Sequence, residues 1–258
     1  MVVGVKKAAK PRKPRTSLPV KDRTISMSNA VARGAQGLNL SQKRIVALAM
    51  AMTDSVPAAD LLSGQYHGWT VRLSAHDYAD SYEVSPDTAY RQLKDGCESL
   101  MRCIWASAEQ GKKGRIVTKG PWSTLAKYRD GEACVDLTFH HHVAPHLLAL
   151  RSQFTTYKLK QAAALRSIYS WRLFEFLQSW KGTGQWSPSI EEFHKAMDAP
   201  ASCCADFGQL KRRVIEPAVK ELRDKDGLRL EWSPVKAGRK VSGLEFRFTP
   251  DPQGRLNL

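Results

Sequence analysis

Gln209, Arg212, Arg213, Glu216, Lys220 and Arg223 fall on one arc of a helical wheel. Their chemistry suits a nucleic-acid groove: forked guanidinium groups match guanine edges, an amide matches adenine, and ammonium groups match phosphates. Lys236, Arg239 and Lys240 follow, grouped around Gly238. The same arc also reads as a solvated basic face, which is what a charge run on a helix usually is.

The elements around these residues favour the first reading. Asp206 is a good N-cap, and from it Phe207, Leu210, Val214, Ile215, Ala218 and Leu222 form the arc that faces a core. Strands are expected from Leu228 to Trp232 and from Val241 to Phe248, where Leu244, Phe246 and Phe248 alternate with Glu245 and Arg247. The stretch from Ser233 to Lys240 between them reads as a basic loop. Upstream, Leu159 to Trp180 reads as one long helix, and Ser189 with Glu192 makes a capping box. Three helices closed by a basic hairpin describe a winged helix, a relative of the helix-turn-helix.

The first half repeats this order. Leu40 to Met52 is an amphipathic helix, a short strand lies around Val71, and Ser74 with Asp77 begins a second helix as a capping box. Ser85 and Pro86 open a third helix, whose buried stripe is Tyr90, Leu93, Cys97, Leu100, Met101 and Ile104. A hairpin follows from Trp122 to Tyr128 and from Ala133 to His140, preceded by a glycine-rich basic loop holding Lys112, Lys113 and Arg115. Superposing the patterns pairs Tyr78 with Phe193, Tyr90 with Phe207, Leu93 with Leu210 and Cys97 with Val214. The expected fold class is therefore α+β, with two tandem winged helices over 25–150 and 151–250 and a short tail over 251–258. The third helix of the first unit exposes Arg91 and Lys94 beside Asp95 and Glu98, a mixed face. Principal DNA reading is accordingly assigned to the second unit. The first is assigned dimerisation and an auxiliary DNA contact through Arg91, Lys94, Lys112, Lys113 and Arg115.

With 258 residues, 40 Lys and Arg against 25 Asp and Glu, and a net charge of +15, the chain implies a polyanionic partner. Residues 1–24 hold eight Lys or Arg, one acid and three prolines, a disordered arm that either adds phosphate contacts or keeps the chain in solution. No run approaches the roughly 18 apolar residues of a membrane span, so no membrane partner and a cytoplasmic location are expected. Cys97, Cys103, Cys134, Cys203 and Cys204 lack zinc-site spacing and are expected as free thiols, the last two in a loop. No glycine-rich phosphate loop occurs, and neither a metal nor any other cofactor is expected. His140, His141 and His142 with Tyr157 or Tyr169 resemble the site of rolling-circle nickases and raise a nicking reading, but the motif of those enzymes has an apolar residue between its two histidines, and here that residue is His141. The chain is thus not expected to be an enzyme.

Taken together, the tandem units and the runs LRSIYSWRLFEFL (165–177), LKRRVIEPAVKEL (210–222) and GRKVSGLEFRF (238–248) resemble the Rep_3, or RepB-type, family of plasmid replication initiators. The resemblance covers about residues 25–250 and is most specific in the second half. It implies monomers on directly repeated iterons at an origin, and dimers in exchange with them that repress their own gene at an inverted repeat. It also implies host partners: the chromosomal initiator, the replicative helicase and chaperones. Lys211, Arg212, Arg213 and Pro217 match the family's recognition helix, with Lys236, Arg239 and Lys240 as its wing. Pro217 is expected to kink that helix. Where relatives carry an aromatic residue just ahead of it, this chain has Ser202, Cys203 and Cys204. A winged-helix transcriptional regulator is the alternative, distinguished by a lone palindrome as its target rather than direct repeats.

Overall fold

The computed structural model describes residues 18–52, 68–148, 154–226 and 228–250. Strand β1 (Thr24–Ser28) leads into α1 (Asn29–Arg33), capped by Ser28, and α2 (Leu40–Ala51), which opens with a capping box between Asn39 and Gln42. Then come β2 (Trp69–Ser74), α3 (Ala75–Tyr82) and α4 (Pro86–Leu100). Four strands follow: β3 (Ile104–Gly111), β4 (Gly114–Pro121), β5 (Ser123–Arg129) and β6 (Cys134–Phe139). A short α5 (Ala144–Leu147) precedes β7 (Phe154–Lys158), α6 (Leu159–Ala163) and α7 (Ile168–Ser179). The remainder is β8 (Gln185–Trp186), α8 (Ile190–Ala196), α9 (Ala201–Ala205), a helix α10 over 207–226, β9 (Leu228–Ala237) and β10 (Lys240–Pro250).

Two units of the same topology result. In the first, β2 is followed by two helices and pairs with β6, which pairs with β5; in the second, β8 is followed by helices and pairs with β10, which pairs with β9. Every pair matched in the sequence shares its environment. Tyr78 and Phe193, Leu93 and Leu210, and Cys97 and Val214 are buried, while Tyr90 and Phe207 are half-buried. Stacked rings fill each core, Trp69 on Phe139 at 5.0 Å in the first and Trp186 on Phe246 at 5.4 Å in the second.

Several expectations are corrected. The helix expected over 159–180 is two, because Ser167 takes the Tyr169 N–H at 3.2 Å and caps a fresh start at α7. Ile104 is not in the buried stripe of the third helix, which ends at Leu100; as a β-branched residue it begins β3 and is 55% exposed. Cys203 and Cys204 lie in α9 rather than a loop, the first buried and the second exposed, and all five cysteines are free. Ser74 caps α3, but its hydroxyl also donates to Asp77 at 2.7 Å, so the reciprocal half of the expected box is absent there. The basic arm does not extend to residue 24: Val20 is buried in a single 3₁₀ turn and Thr24 opens β1, whereas residues 1–17 lie outside the described ones. β1 pairs antiparallel with β7, joining residues 24–28 to 154–158 across the division expected after residue 150.

Beneath these elements lies a buried ionic cluster. Glu175 on α7 receives Lys43 from α2 at 2.6 Å, Tyr157 from β7 at 2.7 Å and Arg172 at 3.3 Å. Removing one member of such a cluster strands a buried charge, so Lys43→Met is expected to lower unfolding free energy by about 3–5 kcal/mol, read by urea denaturation.

Candidate nucleic-acid interface

α10 is built as an amphipathic reader helix. Asp206 caps it by accepting the Gly208 N–H at 2.7 Å, and Leu210, Val214, Ile215, Ala218, Val219 and Leu222 are buried beneath it. The expected stripe is therefore present with Val219 added, and Phe207 is half-buried. The helix is not uniform. Phe207–Leu210 is α-helical, Lys211–Ile215 forms a π turn, and Glu216–Asp226 is α-helical again. Pro217 lies two residues past the end of that turn. Its ring crowds the carbonyl four residues back and it has no N–H to donate, and a wider i→i+5 turn is one way for a helix to accommodate both. The irregularity expected at Pro217 takes this form, and it falls on Lys211, Arg212 and Arg213.

Lys211, Arg212, Arg213, Glu216 and Lys220 are exposed and Gln209 is half-exposed. Lys211 reaches Glu216 at 3.4 Å, and the Arg212 Nε donates to the Gly208 carbonyl at 3.4 Å. Arg223 is placed differently: its Nε donates to the Leu230 carbonyl at 2.7 Å, and its Nη2 to the same oxygen. This residue anchors the last turns of α10 to β9, a packing role that the wheel cannot distinguish from a groove-facing one.

The wing is longer than the sequence reading had it. Residues 233–237 are not loop but β9, paired with β10 as far as Ala237 opposite Lys240. Only Gly238 and Arg239 form the turn. Gly238 has φ +62°, the left-handed value that suits glycine at the first central position of a two-residue hairpin turn. Lys236, Arg239 and Lys240 are all exposed at this tip. Among the described residues, Arg212, Arg213, Lys220, Lys236, Arg239 and Lys240 enter no ion pair, so their charge is directed to solvent.

The third helix of the first unit, α4, is partly neutralised. On α4, Lys94 is 3.0 Å from Asp130 and Glu98 is paired with Arg102 at 2.6 Å, leaving Arg91 exposed. Tyr90 donates to Asp130 at 2.6 Å; that bond pushes the phenol up to about 12 and, with Lys94, holds the carboxyl below its ordinary range. Lys112 and Lys113 are at the tip of a hairpin, not in a loop, since β3 and β4 pair from Ile104–Pro121 up to Gly111–Gly114. Arg115 follows in β4, opposite Gln110. This hairpin is inserted ahead of the first unit's own wing, β5–β6, and exposes Ile104, Ile116 and Val117. His140, His141 and His142 lie in a turn beyond β6, with the rings of His140 and His141 stacked at 4.2 Å. Tyr157 is buried with its hydroxyl on Glu175, and burial raises its pKa well above the ordinary range.

Comparison with known proteins matches this arrangement in both halves. Residues 24–178 match the family described as "Initiator Replication protein, WH1", and residues 189–248 match "Initiator Rep protein, WH2". The chain belongs to this family of replication initiators. Among its curated relatives is an uncharacterised 27.6 kDa protein of Escherichia coli, 27% identical over 230 residues, which are 88% of this chain and 95% of the relative. The PI protein of Escherichia coli is 25% identical over 245 residues, covering 83% of this chain and 78% of that protein. A crystal structure of the Pi initiator protein in complex with iteron DNA shares the fold, with TM-score 0.70 and 22% identity, over 90% of this chain and 99% of that one. The two winged helices inferred from repetition in the sequence are the two winged-helix domains of the family. Among the described residues, no helix is long and apolar enough to cross a membrane.

Sequence reasoning missed the partners that set how the initiator's units meet: Arg172 and Glu175, which are buried, and Asp198, which is exposed. A signal existed for the first two, because charges three residues apart inside the apolar run 165–177 have no solvent face to occupy.

Two kinds of substitution separate base reading from backbone binding. Arg212→Ala or Arg213→Ala is expected to cost about 1–3 kcal/mol on the specific site and little on unrelated duplex, measured by fluorescence anisotropy on both. Lys236→Ala or Lys240→Ala is expected to weaken binding on every sequence and to lower the slope of log K against log salt by about 1.

Proposed function

We propose that this chain starts plasmid replication by binding direct repeats, or iterons, at its origin through α10 and the β9–β10 wing. The observation that carries the reading is the set of six exposed, unpaired cations on these two elements, beside the amide of Gln209 and the acid of Glu216. Pure phosphate binding has little use for an amide or an acid, whereas base edges use both. Gln209, Lys211, Arg212, Arg213, Glu216 and Lys220 act in the groove, and Lys236, Arg239 and Lys240 act on the flanking backbone. The first unit adds phosphate contacts through Arg91, Lys112, Lys113 and Arg115 and forms the homodimer, with Lys94 engaged by Asp130. As a dimer the protein represses its own gene at an inverted repeat and so regulates copy number.

The protein works in the cytoplasm by binding rather than by catalysis. Energy for opening the origin comes from occupying repeated sites, deforming the DNA and recruiting the host initiator and helicase, with chaperones shifting dimer to monomer. Tyr157, one of the two alternative nucleophiles of a nicking reading, is instead committed to Glu175.

A footprint of the purified protein on the DNA flanking its gene tests this. Several evenly spaced direct repeats protected together are expected. Protection of one inverted repeat alone would leave a repressor and remove the replication role.

A further inference from the structure

Residues 32–37, from the end of α1 toward α2, pass through the junction of the two units, and side chains hold five of their backbone polar atoms. Arg172 donates to the Ala32 carbonyl at 3.2 Å and the Gly34 carbonyl at 2.6 Å. The same guanidinium donates twice to the Ala196 carbonyl, at 3.1 and 2.9 Å, at the end of α8 in the second unit. From that same end, one carboxylate oxygen of Asp198 accepts the N–H groups of both Gln36 and Gly37, at 3.0 and 3.1 Å. The Gln36 carbonyl takes the Trp122 indole N–H at 3.0 Å, and its side chain is bonded to Lys43 and Glu175.

Asp198 is an unusual residue for its position. After α8 the Asp198 N–H bonds to the Lys195 carbonyl and the Ala199 N–H to the His194 carbonyl, the paired bonds of a Schellman close. The residue at this point has left-handed backbone, φ +48°, where glycine is the usual choice. Local helix termination alone would therefore be served better by glycine. What an aspartate adds is the carboxylate, and in this structure it goes to the first unit.

We propose that Asp198 is a positioning residue for DNA recognition: by clasping the amides of Gln36 and Gly37 it fixes the orientation of the second winged helix against the first, and so the spacing of DNA contacts that one molecule accepts. The inference rests on the reading that both units contact one DNA site. Each base pair inserted between the two contacts moves them apart by about 3.4 Å and turns them by about 35°, so a rigid junction discriminates and a loose one does not.

The test uses the full-length protein and duplexes recovered by wild type from a random-sequence pool, then remade with one or two base pairs inserted or deleted between the two protected patches. Wild type is expected to lose about tenfold in affinity or more per change of spacing, the scale of a lost base contact. Asp198→Gly is expected to melt near the wild-type temperature and bind the parent duplex comparably, yet to lose less than about threefold on the altered spacings. Asp198→Asn, which tolerates the same backbone and retains an acceptor oxygen, is expected to restore the wild-type profile. An unchanged spacing profile in Asp198→Gly overturns the proposal while leaving two-unit binding intact. A single protected patch with wild type, or wild-type indifference to spacing, overturns the two-unit reading itself and the proposal with it.

Discussion

The buried carboxylate of Glu175 is the constraint on which the arrangement of this initiator depends. A charge with no access to water persists only where donors meet it, and its donors come from separate parts of the chain. Lys43 comes from α2, Tyr157 from the strand that pairs with β1, and the Gln36 amide from the segment between α1 and α2; Arg172 is on the same helix. All must be in place at once, which ties folding of the first unit to the seating of α7. Burial pushes the Lys43 ammonium down to about 8 against the opposing attraction of Glu175. Such a cluster contributes less to net stability than an apolar core of the same volume would; its effect is to admit one arrangement.

From that cluster the order of the rest follows. α7 passes from the first unit toward the second, and its Arg172 touches carbonyls of both. The second unit then hangs its own core, Trp186, Phe193 and Phe246, on the end of this helix region, with Phe176 stacked on Trp186 at 4.6 Å. The two units keep one topology and one burial pattern and have diverged in what they expose. On α4 Lys94 is paired with Asp130 and Glu98 with Arg102, whereas on α10 and its wing Arg212, Arg213, Lys220, Lys236, Arg239 and Lys240 enter no ion pair among the described residues, and only unpaired cations release counterions fully from a phosphate backbone.

The reading surface itself combines a rigid and an irregular component. Arg223 fixes the far end of α10 to β9, so helix and wing form one body. The π turn falls on the three consecutive cations ahead of Pro217 and changes the angles at which they leave the helix. π turns of this sort are uncommon and concentrate at functional sites.

Local physics made much of this legible from the amino-acid order. Hydrophobic period and the caps at Ser85, Ser189 and Asp206 are properties of a few neighbouring residues, and each appears in the structure where the residues placed it. Repetition of the pattern was enough to count two winged helices, and exposure along α10 followed from its wheel. What stayed hidden depends on partners distant along the chain. Arg223 and Arg212 are alike on a wheel, and only the position of β9 makes one an anchor. Lys112 and Lys113 were visible as basic residues between glycines, but pairing of β3 with β4 turns their loop into a hairpin. That residues 154–158 join β1 stayed hidden because backbone pairing between positions 126 or more apart leaves no local trace in composition. Asp198 reads as an ordinary loop acid, since its meaning lies in two amides some 160 residues away that are brought to it when the units close around Arg172.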